Sequence, residues 1–255
     1  MVDKRFIFTV TTGRTGTGFV ANLLGIFKGT TTFHEPDPSF NLVLRAAQDN
    51  PQVARDFLVD LKIPAICRMS VSPVYIETSH LFCKGFLEPW LEISELPIPD
   101  LIFLDRDFRK ISLSNLSLRS IPGKSETGLK FYLAPWDKSC FTRVTDWESL
   151  NDYQLCYWYC LEIEERKKQY SQLIRAKGGR TLFTSIEHLQ TVNGILEAQK
   201  SLELQPLTVH GWLAYFKRRS VNINKKEHAK EDVAFDPHQL DQWEAEVRQR
   251  TTVIR

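Results

Sequence analysis

Residues 5–27, RFIFTVTTGRTGTGFVANLLGIF, place an apolar run, a glycine-rich loop and a second apolar pattern one after another. Residues 6–10 are short, apolar and rich in β-forming side chains, which predicts a buried strand. From Phe19 to Phe27 the apolar residues recur at steps of three and four, which predicts an amphipathic helix. Strand, loop and helix in this order are typical of the start of an α/β fold.

The alternation of strands and helices continues along the chain. Four further strands and one long helix are predicted: strands at 31–33, 74–77, 101–105 and 181–184, and a helix at about 151–174. This pattern favours an α/β fold, a P-loop-like three-layer sandwich with a central parallel sheet flanked by helices. Without repeats or a low-complexity linker, residues 1–255 form one domain, and the irregular stretch 112–146 is a candidate insertion or lid.

Composition excludes several classes of protein. With 255 residues, 42% of them hydrophobic, and a net charge of +2, the chain is an ordinary globule with no overall field for nucleic acid or an anionic membrane. No apolar stretch approaches the roughly 18 residues that span a bilayer, and the early strand leaves no room for a secretory signal. Five scattered cysteines without zinc spacing favour buried thiols, as at Cys156 and Cys160, in a reducing cytoplasm, with no metal.

Charge is unevenly distributed. Residues 217–230 contain six Lys or Arg and one Glu, a local charge of +5, while the rest of the chain is close to neutral. Such a run is either a solvated face or an anion-binding lid, and the sequence leaves both interpretations open.

The glycine loop, residues 11–19 (TTGRTGTGF), predicts an anion site, because glycines let the backbone approach a ligand and the helix that follows offers free N–H groups. Phe19 and Val20 stand where a nucleotide triphosphatase needs Lys and Ser/Thr, so that class is disfavoured. The Gly-x-Gly-x-x-Ala pattern of residues 16–21, with an acid about 20 residues later, keeps a Rossmann-type NAD(P)-dependent oxidoreductase as an alternative.

The same loop resembles the 5′-phosphosulfate loop of sulfotransferases, which transfer a sulfuryl group from 3′-phosphoadenosine 5′-phosphosulfate (PAPS) to an acceptor. The resemblance implies that Arg14 contacts the 5′-phosphate and stabilises charge during catalysis, and that Phe19 lies near the adenine. The cradle for the phosphosulfate would be built from the loop residues Gly13, Thr15, Gly16, Thr17 and Gly18. Gly18 replaces a hydroxyl residue that the family usually has.

A second motif matches the family, and two further elements resemble it more loosely. Arg106 ends a predicted strand and Ser114 follows eight residues later, as do the Arg and Ser that hold the 3′-phosphate in sulfotransferases. Ile186 stands where an adenine-contacting aromatic is frequent. The basic segment 217–230 corresponds to a loop over the cofactor, from which the resemblance makes three residues candidates for the 3′-phosphate: Arg218, Arg219 and Lys225.

Two residues compete for the role of base. Glu35, in His-Glu-Pro, matches the carboxylate of carbohydrate and tyrosyl-protein sulfotransferases, whereas His80, in Thr-Ser-His-Leu, resembles the histidine of the cytosolic small-molecule branch. Glu77 is a lesser candidate. We expect a small-molecule acceptor with a hydroxyl, or less favourably an amine, of which a polar natural product is one example. A non-catalytic nucleotide-binding module is the remaining alternative, and oligomeric state is not predicted.

Overall fold

The structure is a computed structural model and describes residues 4–221 and 235–254. Its centre is a sheet of five parallel strands in the order β2-β3-β1-β4-β6, and a separate antiparallel pair joins β5 to β7. The strands are β1 (Arg5–Val10), β2 (Thr30–Phe33), β3 (Val74–Glu77), β4 (Asp100–Leu104), β5 (Thr142–Val144), β6 (Thr181–Thr184) and β7 (Thr251–Val253).

Helices connect and cover these strands. Those of the described residues are α1 (Thr17–Leu24), α2 (Leu44–Asp49), α3 (Pro51–Asp56), α4 (Ile63–Met69), α5 (Leu87–Leu91), α6 (Phe108–Ser117), α7 (Glu126–Phe131), α8 (Asp152–Ala176), α9 (Ile186–Leu189), α10 (Val192–Ser201), α11 (Val209–Arg218) and α12 (Pro237–Arg250). A π-helical segment, Phe57–Lys62, joins α3 to α4. The longest, α8, begins with a capping box between Asn151 and Gln154.

Alternate side chains of β1 enter two hydrophobic clusters. Phe6, Phe8 and Val10 face the larger cluster, which includes residues of α8, and Ile7 faces a smaller one that includes Phe19 of α1. All four β1 side chains are at most 1% exposed, because helices cover both faces of the sheet. The predicted α/β fold with helices flanking a central parallel sheet is therefore confirmed.

Strand order positions the glycine loop. The chain lays β3 on one side of β1 and β4 on the other, with Ile7 paired to Ile76 and to Asp100. At such a change of side the loops that leave the carboxyl edge diverge and open a crevice, where α/β proteins bind ligands. The loop between β1 and α1 lies at this crevice.

The stretch 112–146 is more regular than the sequence suggests. It begins inside α6, contains α7 and ends with β5, which pairs with β7 near the end of the chain. Glu162 of α8 anchors β5, because its carboxylate accepts the backbone N–H groups of Phe141 and Thr142 at 2.8–3.0 Å. Arg166 donates to the same carboxylate at 2.7 Å, so the anchor is a buried, fully paired acid.

The cysteines are free thiols. Cys156 and Cys160 are buried in α8 as the sequence predicts, whereas Cys67 is exposed on α4. Burial raises the pKa of both α8 thiols, which makes them poor nucleophiles. Within the two described ranges, none of the helices has the length and apolar character needed to cross a membrane.

Candidate functional site

The glycine loop bends through three left-handed residues. Gly13, Arg14 and Gly16 have φ angles of 85°, 58° and 79°. Gly16 caps α1, and its left-handed backbone angle favours glycine. A Cβ placed there would lie 1.9 Å from Cδ1 of Ile186, so any larger residue would also displace that side chain. Arg14 tolerates a conformation that L-residues rarely adopt, which is typical of strain held at a functional site.

Neighbouring elements hold this loop in place. The Tyr159 hydroxyl of α8 donates to the Thr12 carbonyl at 2.8 Å, and the Thr78 hydroxyl donates to the Thr17 carbonyl at 2.9 Å. The first intrahelical bond of α1 runs from the Val20 N–H to the Gly16 carbonyl at 3.2 Å. The N–H groups before Val20 therefore precede the hydrogen-bond ladder of the helix, and such groups attract anions.

Arg14, Arg106 and Ser114 converge although they are far apart in sequence. Arg14 Nε donates to Ser114 Oγ at 3.1 Å, across 100 residues, and the Arg106 guanidinium donates to the Arg14 carbonyl. Burial lowers the pKa of Arg106, and the adjacent Arg14 charge lowers it further. Because the direct partners are a hydroxyl and a carbonyl, two neighbouring guanidinium charges are left for an anion to neutralise.

A cavity of about 220 Å³ lies at this meeting point, lined by Arg14, Thr15, Gly16, Asp105, Arg106, Ile186 and Glu187. A larger cavity of about 710 Å³ shares Asp105, Arg106 and Glu187 with it. Asp105 forms an ion pair with Lys167. Hydrogen bonds from its own backbone N–H and from Ser185 lower the pKa of Glu187, and Arg106 adds to this effect, so a carboxylate competes with any bound anion for Arg106.

Glu35 follows β2 in a loop that a buried lysine fixes. Its φ of 47° is another left-handed angle at a non-glycine residue. Lys62 reaches the loop from the π-helical segment and donates to the carbonyls of Pro36 and Pro38, each at 3.1 Å. Its third donor goes to Glu77 at 2.9 Å, and both side chains are fully buried.

Glu77 is thus part of a closed cluster. The Tyr75 hydroxyl donates to its second carboxylate oxygen at 2.7 Å. Burial raises the pKa of Glu77, and the Lys62 charge and the Tyr75 hydrogen bond oppose that rise. With its oxygens occupied and no exposure to solvent, Glu77 serves to support the Glu35 loop. No pattern in the sequence indicates Lys62 as its partner.

His80 lies against the glycine loop: a Cβ added to Gly13 would come within 3.1 Å of its Cγ. Its Nε2 is 3.5 Å from Oε1 of Glu35, so the two candidate bases are neighbours. On the other side of the ring, Nδ1 is 2.6 Å from Nζ of Lys84, a fully buried lysine that sequence reasoning missed. Burial lowers the pKa of His80 well below its ordinary value, and Lys84 is the next largest cause. His80 is therefore neutral at pH 7.

Three other residues that the sequence predicts for the site make different contacts. Phe19 is buried in the smaller cluster. Gly18 lies against the ring of His34, and a Cβ built on Gly18 would be 3.4 Å from Cδ2 of His34. Arg218 ends α11 and donates to the Asn22 carbonyl in the second half of α1, at 2.7 Å, rather than reaching the glycine loop.

The other basic candidates are not at the cavity in the described part of the chain. Arg219 stacks over Tyr215 and Phe216, with 4.9 Å from its guanidinium carbon to the ring centre of Phe216. Lys225 lies outside the described residues, as does most of segment 217–230, whose first two residues belong to α11. The side chains brought together at the crevice are therefore those of the first two motifs and the two candidate bases.

Known proteins give no further identification. No protein-family model matches this chain, and no curated protein is significantly similar to it.

Proposed function

We propose that this protein is a PAPS-dependent sulfotransferase that acts on a hydroxyl group, or less favourably an amine, of a small molecule. The observation that carries the proposal is the convergence of Arg14, Arg106 and Ser114 beside the candidate bases Glu35 and His80. The family resemblance rests on separate short motifs, and chance similarity gives no reason for them to meet in space.

PAPS has two anionic ends, and the donors at the crevice fit them. Arg14 with the first N–H groups of α1 suits the 5′-phosphosulfate, and Arg106 with Ser114 suits the 3′-phosphate. When bound, PAPS supplies a sulfuryl group: the acceptor oxygen bonds to sulfur, and the bond from sulfur to the 5′-phosphate oxygen breaks with its electron pair left on the phosphate. Arg14 offsets the charge that develops on that phosphate, and a base takes the acceptor proton.

Strand order argues against the NAD(P) alternative. In the Rossmann arrangement β2 is next to β1, so an acid after β2 reaches a ribose bound at the glycine loop. In this chain β3 separates β2 from β1, so the strand order differs from the Rossmann arrangement, and Glu77 at the end of β3 is fully buried in its ion pair with Lys62. The module alternative has no need for Glu35 and His80 to lie 3.5 Å apart beside the loop.

Thermal-shift titration separates the sulfotransferase from the NAD(P)-dependent alternative. The product 3′-phosphoadenosine 5′-phosphate (PAP), NAD and ATP are tested at equal concentrations, and PAP alone is expected to raise Tm, because a ligand that binds only the folded state stabilises it by mass action. 5′-AMP, which lacks the 3′-phosphate, should bind more weakly. Stabilisation by NAD and not by PAP would refute the proposal.

Substitutions at the crevice test whether PAP binds there. Arg106→Ala removes a charged donor and should weaken PAP binding about 10–100-fold. Arg68→Ala is the matched control, since Arg68 is exposed on α4 and lines neither cavity. Conversion of PAPS to PAP in the presence of a panel of alcohols and amines then tests catalysis. PAP binding without transfer to any acceptor in that panel would favour the module.

A further inference from the structure

Lys84 lies in the turn between β3 and α5, four residues after His80, and is 0% exposed. Its ammonium group is 2.6 Å from Nδ1 of His80 and 2.6 Å from the Phe131 carbonyl. The rings of Tyr132 and Tyr159 lie 4.9 and 5.2 Å from the same nitrogen. Neutral and aromatic groups therefore surround this lysine, and its direct contact with the site is through His80.

This contact determines where the histidine carries its proton. An ammonium group has three donors and no acceptor, so Nδ1 must present a lone pair to it. In a neutral imidazole the proton is then on Nε2, the nitrogen that faces Glu35 at 3.5 Å. Neither ring nitrogen has a free lone pair for an acceptor proton: one is bound by Lys84 and the other is protonated.

We propose that Lys84 is a positioning residue that holds His80 in the Nε2–H tautomer, so that His80 orients Glu35 and the Glu35 carboxylate is the general base. The inference rests on the sulfotransferase function and selects between its two candidate bases. In the step, a Glu35 oxygen accepts the proton of the acceptor hydroxyl as the oxygen–sulfur bond forms. The Nε2–H of His80 donates to the other carboxylate lone pairs, and such contacts often tighten when substrate binds.

Burial and more distant charges determine the pH range in which Lys84 carries its proton and the tautomer of His80 can be tested. Burial lowers the pKa of Lys84 to about 7; Cys83 and Glu35 favour its charged form, while Arg45 on α2 and Arg166 on α8 disfavour it. A deprotonated amine has a lone pair and permits the opposite tautomer. At pH 6 Lys84 is mostly charged, and the lowered pKa of His80 favours the neutral ring.

The first experiment is nitrogen-15 NMR of the histidine rings of the wild-type protein at pH 6. The two neutral tautomers give different cross-peak patterns between the ring nitrogens and ring C–H protons, and the signal that is missing from His80→Gln identifies His80. We expect the Nε2–H pattern. The Nδ1–H pattern, or a doubly protonated ring, would overturn the proposal without any assay of activity.

The second experiment removes the ammonium group. In Lys84→Met the His80 ring is expected to exchange between tautomers, and its pKa to rise, because the Lys84 charge contributes to the low value. Lys130→Met is the matched control, an exposed lysine on α7 whose nitrogen lies over the Phe131 ring rather than on His80. An unchanged tautomer and titration in Lys84→Met would contradict the role of Lys84.

The third experiment separates base from positioning residue by transfer rate. Glu35→Gln keeps the shape but loses the proton acceptor and should slow transfer by about 10²–10⁴-fold. His80→Gln keeps an N–H donor and should retain activity within about tenfold. Equal losses in both variants would overturn the assignment of Glu35. Absence of PAP binding to the wild type would refute the sulfotransferase function instead, and the tautomer measurement would still decide the role of Lys84.

Discussion

Lys62 and Lys84 are both fully buried, yet their surroundings differ. Lys62 meets a carboxylate and two carbonyls, one acceptor for each of its three donors. Lys84 meets an imidazole and one carbonyl, and burial lowers its pKa to about 7. A buried cation with an acceptor for each of its donors, one of them a carboxylate, mainly stabilises the fold. A buried cation with neutral partners can lose its proton near neutral pH, as functional groups often do.

The same contrast separates two regions. The closed cluster consists of Lys62, Tyr75 and Glu77, in which both Lys62 and Tyr75 donate hydrogen bonds to the Glu77 carboxylate at the end of β3. The open rim comprises Arg14, Arg106 and Ser114 at the crevice, together with the buried Lys84 that contacts His80, and its cations are hydrogen-bonded to neutral partners. The closed cluster is therefore expected to control stability, and the open rim to control binding and pH response.

Breaking the closed cluster should have the largest effect. Lys62→Met leaves the buried Glu77 carboxylate without its cation and should destabilise the protein by about 3–5 kcal/mol in urea unfolding. The double variant Lys62→Met/Glu77→Met removes both charges and should recover much of that loss. A change of less than about 1 kcal/mol for Lys62→Met would show that the pair is not the support assigned to it.

The open rim predicts a pH dependence of stability. The folded pKa of Lys84, about 7, lies below its unfolded value of about 10.4, so between these values the unfolded state binds more protons. Stability should therefore rise as the pH increases above 7, by at most about 1.4 kcal/mol per pH unit, and this contribution is lost as the pH falls back to 7.

Urea unfolding of wild type and Lys84→Met at pH 7, 7.5, 8 and 8.5 tests this dependence, with the variant expected to show the flatter curve. The buried thiols act in the opposite direction, because burial raises the pKa of Cys83 and Cys140. Cys140 contributes equally to both proteins, whereas the pKa of Cys83 should rise further in Lys84→Met, because the Lys84 charge lowers it in the wild type. Parallel curves would mean that Lys84 does not titrate in this range.

Within the open rim, Ser114→Ala should have a smaller effect. It removes the hydroxyl that meets Arg14 Nε at 3.1 Å and should weaken PAP binding about fivefold, the equivalent of one hydrogen bond, with little change in Tm without ligand. Ser117→Ala on the same helix is the control, since that hydroxyl donates to the Ser114 carbonyl at 3.0 Å. Equal affinities in the two variants would remove Ser114 from the site.

The smallest effect is expected in the opposite direction. Glu187 is an exposed carboxylate on the wall of the smaller cavity, so Glu187→Gln should strengthen PAP binding about two- to fivefold at low salt and less at high salt. Glu197→Gln, an exposed change on α10, should have no effect in the same calorimetric titration. Weaker binding by Glu187→Gln would mean that this carboxylate holds part of the nucleotide.

Local sequence patterns were sufficient to predict those parts of the site that are formed by residues close together in the chain. The glycine loop, and the eight-residue spacing from Arg106 to Ser114, follow from one strand and one helix each, so their geometry is encoded locally. The alternation of strands and helices likewise predicted a parallel sheet, although it could not give the strand order, which depends on how the crossovers pack.

Contacts between side chains that lie far apart in the chain could not be predicted from the sequence. Lys62 reaches Glu77 from a π-helical segment, and Lys84 meets Phe131 from 47 residues away, so no spacing announces either contact. The position of Arg218 depends on the docking of α11 against α1, which places it on the Asn22 carbonyl. A run of basic residues shows that charge is present but not which surface it faces.

The pairing of β5 with β7 also sets an order of assembly on the ribosome. β5 is synthesised 107 residues before the strand that completes it, with Thr142 opposite Val253. Glu162, only 20 residues after Thr142, is available much earlier to hold β5 through its backbone N–H groups. A carboxylate synthesised soon after β5 can thus hold this strand before β7 exists, and a truncation before β7 would leave an unpaired strand edge exposed.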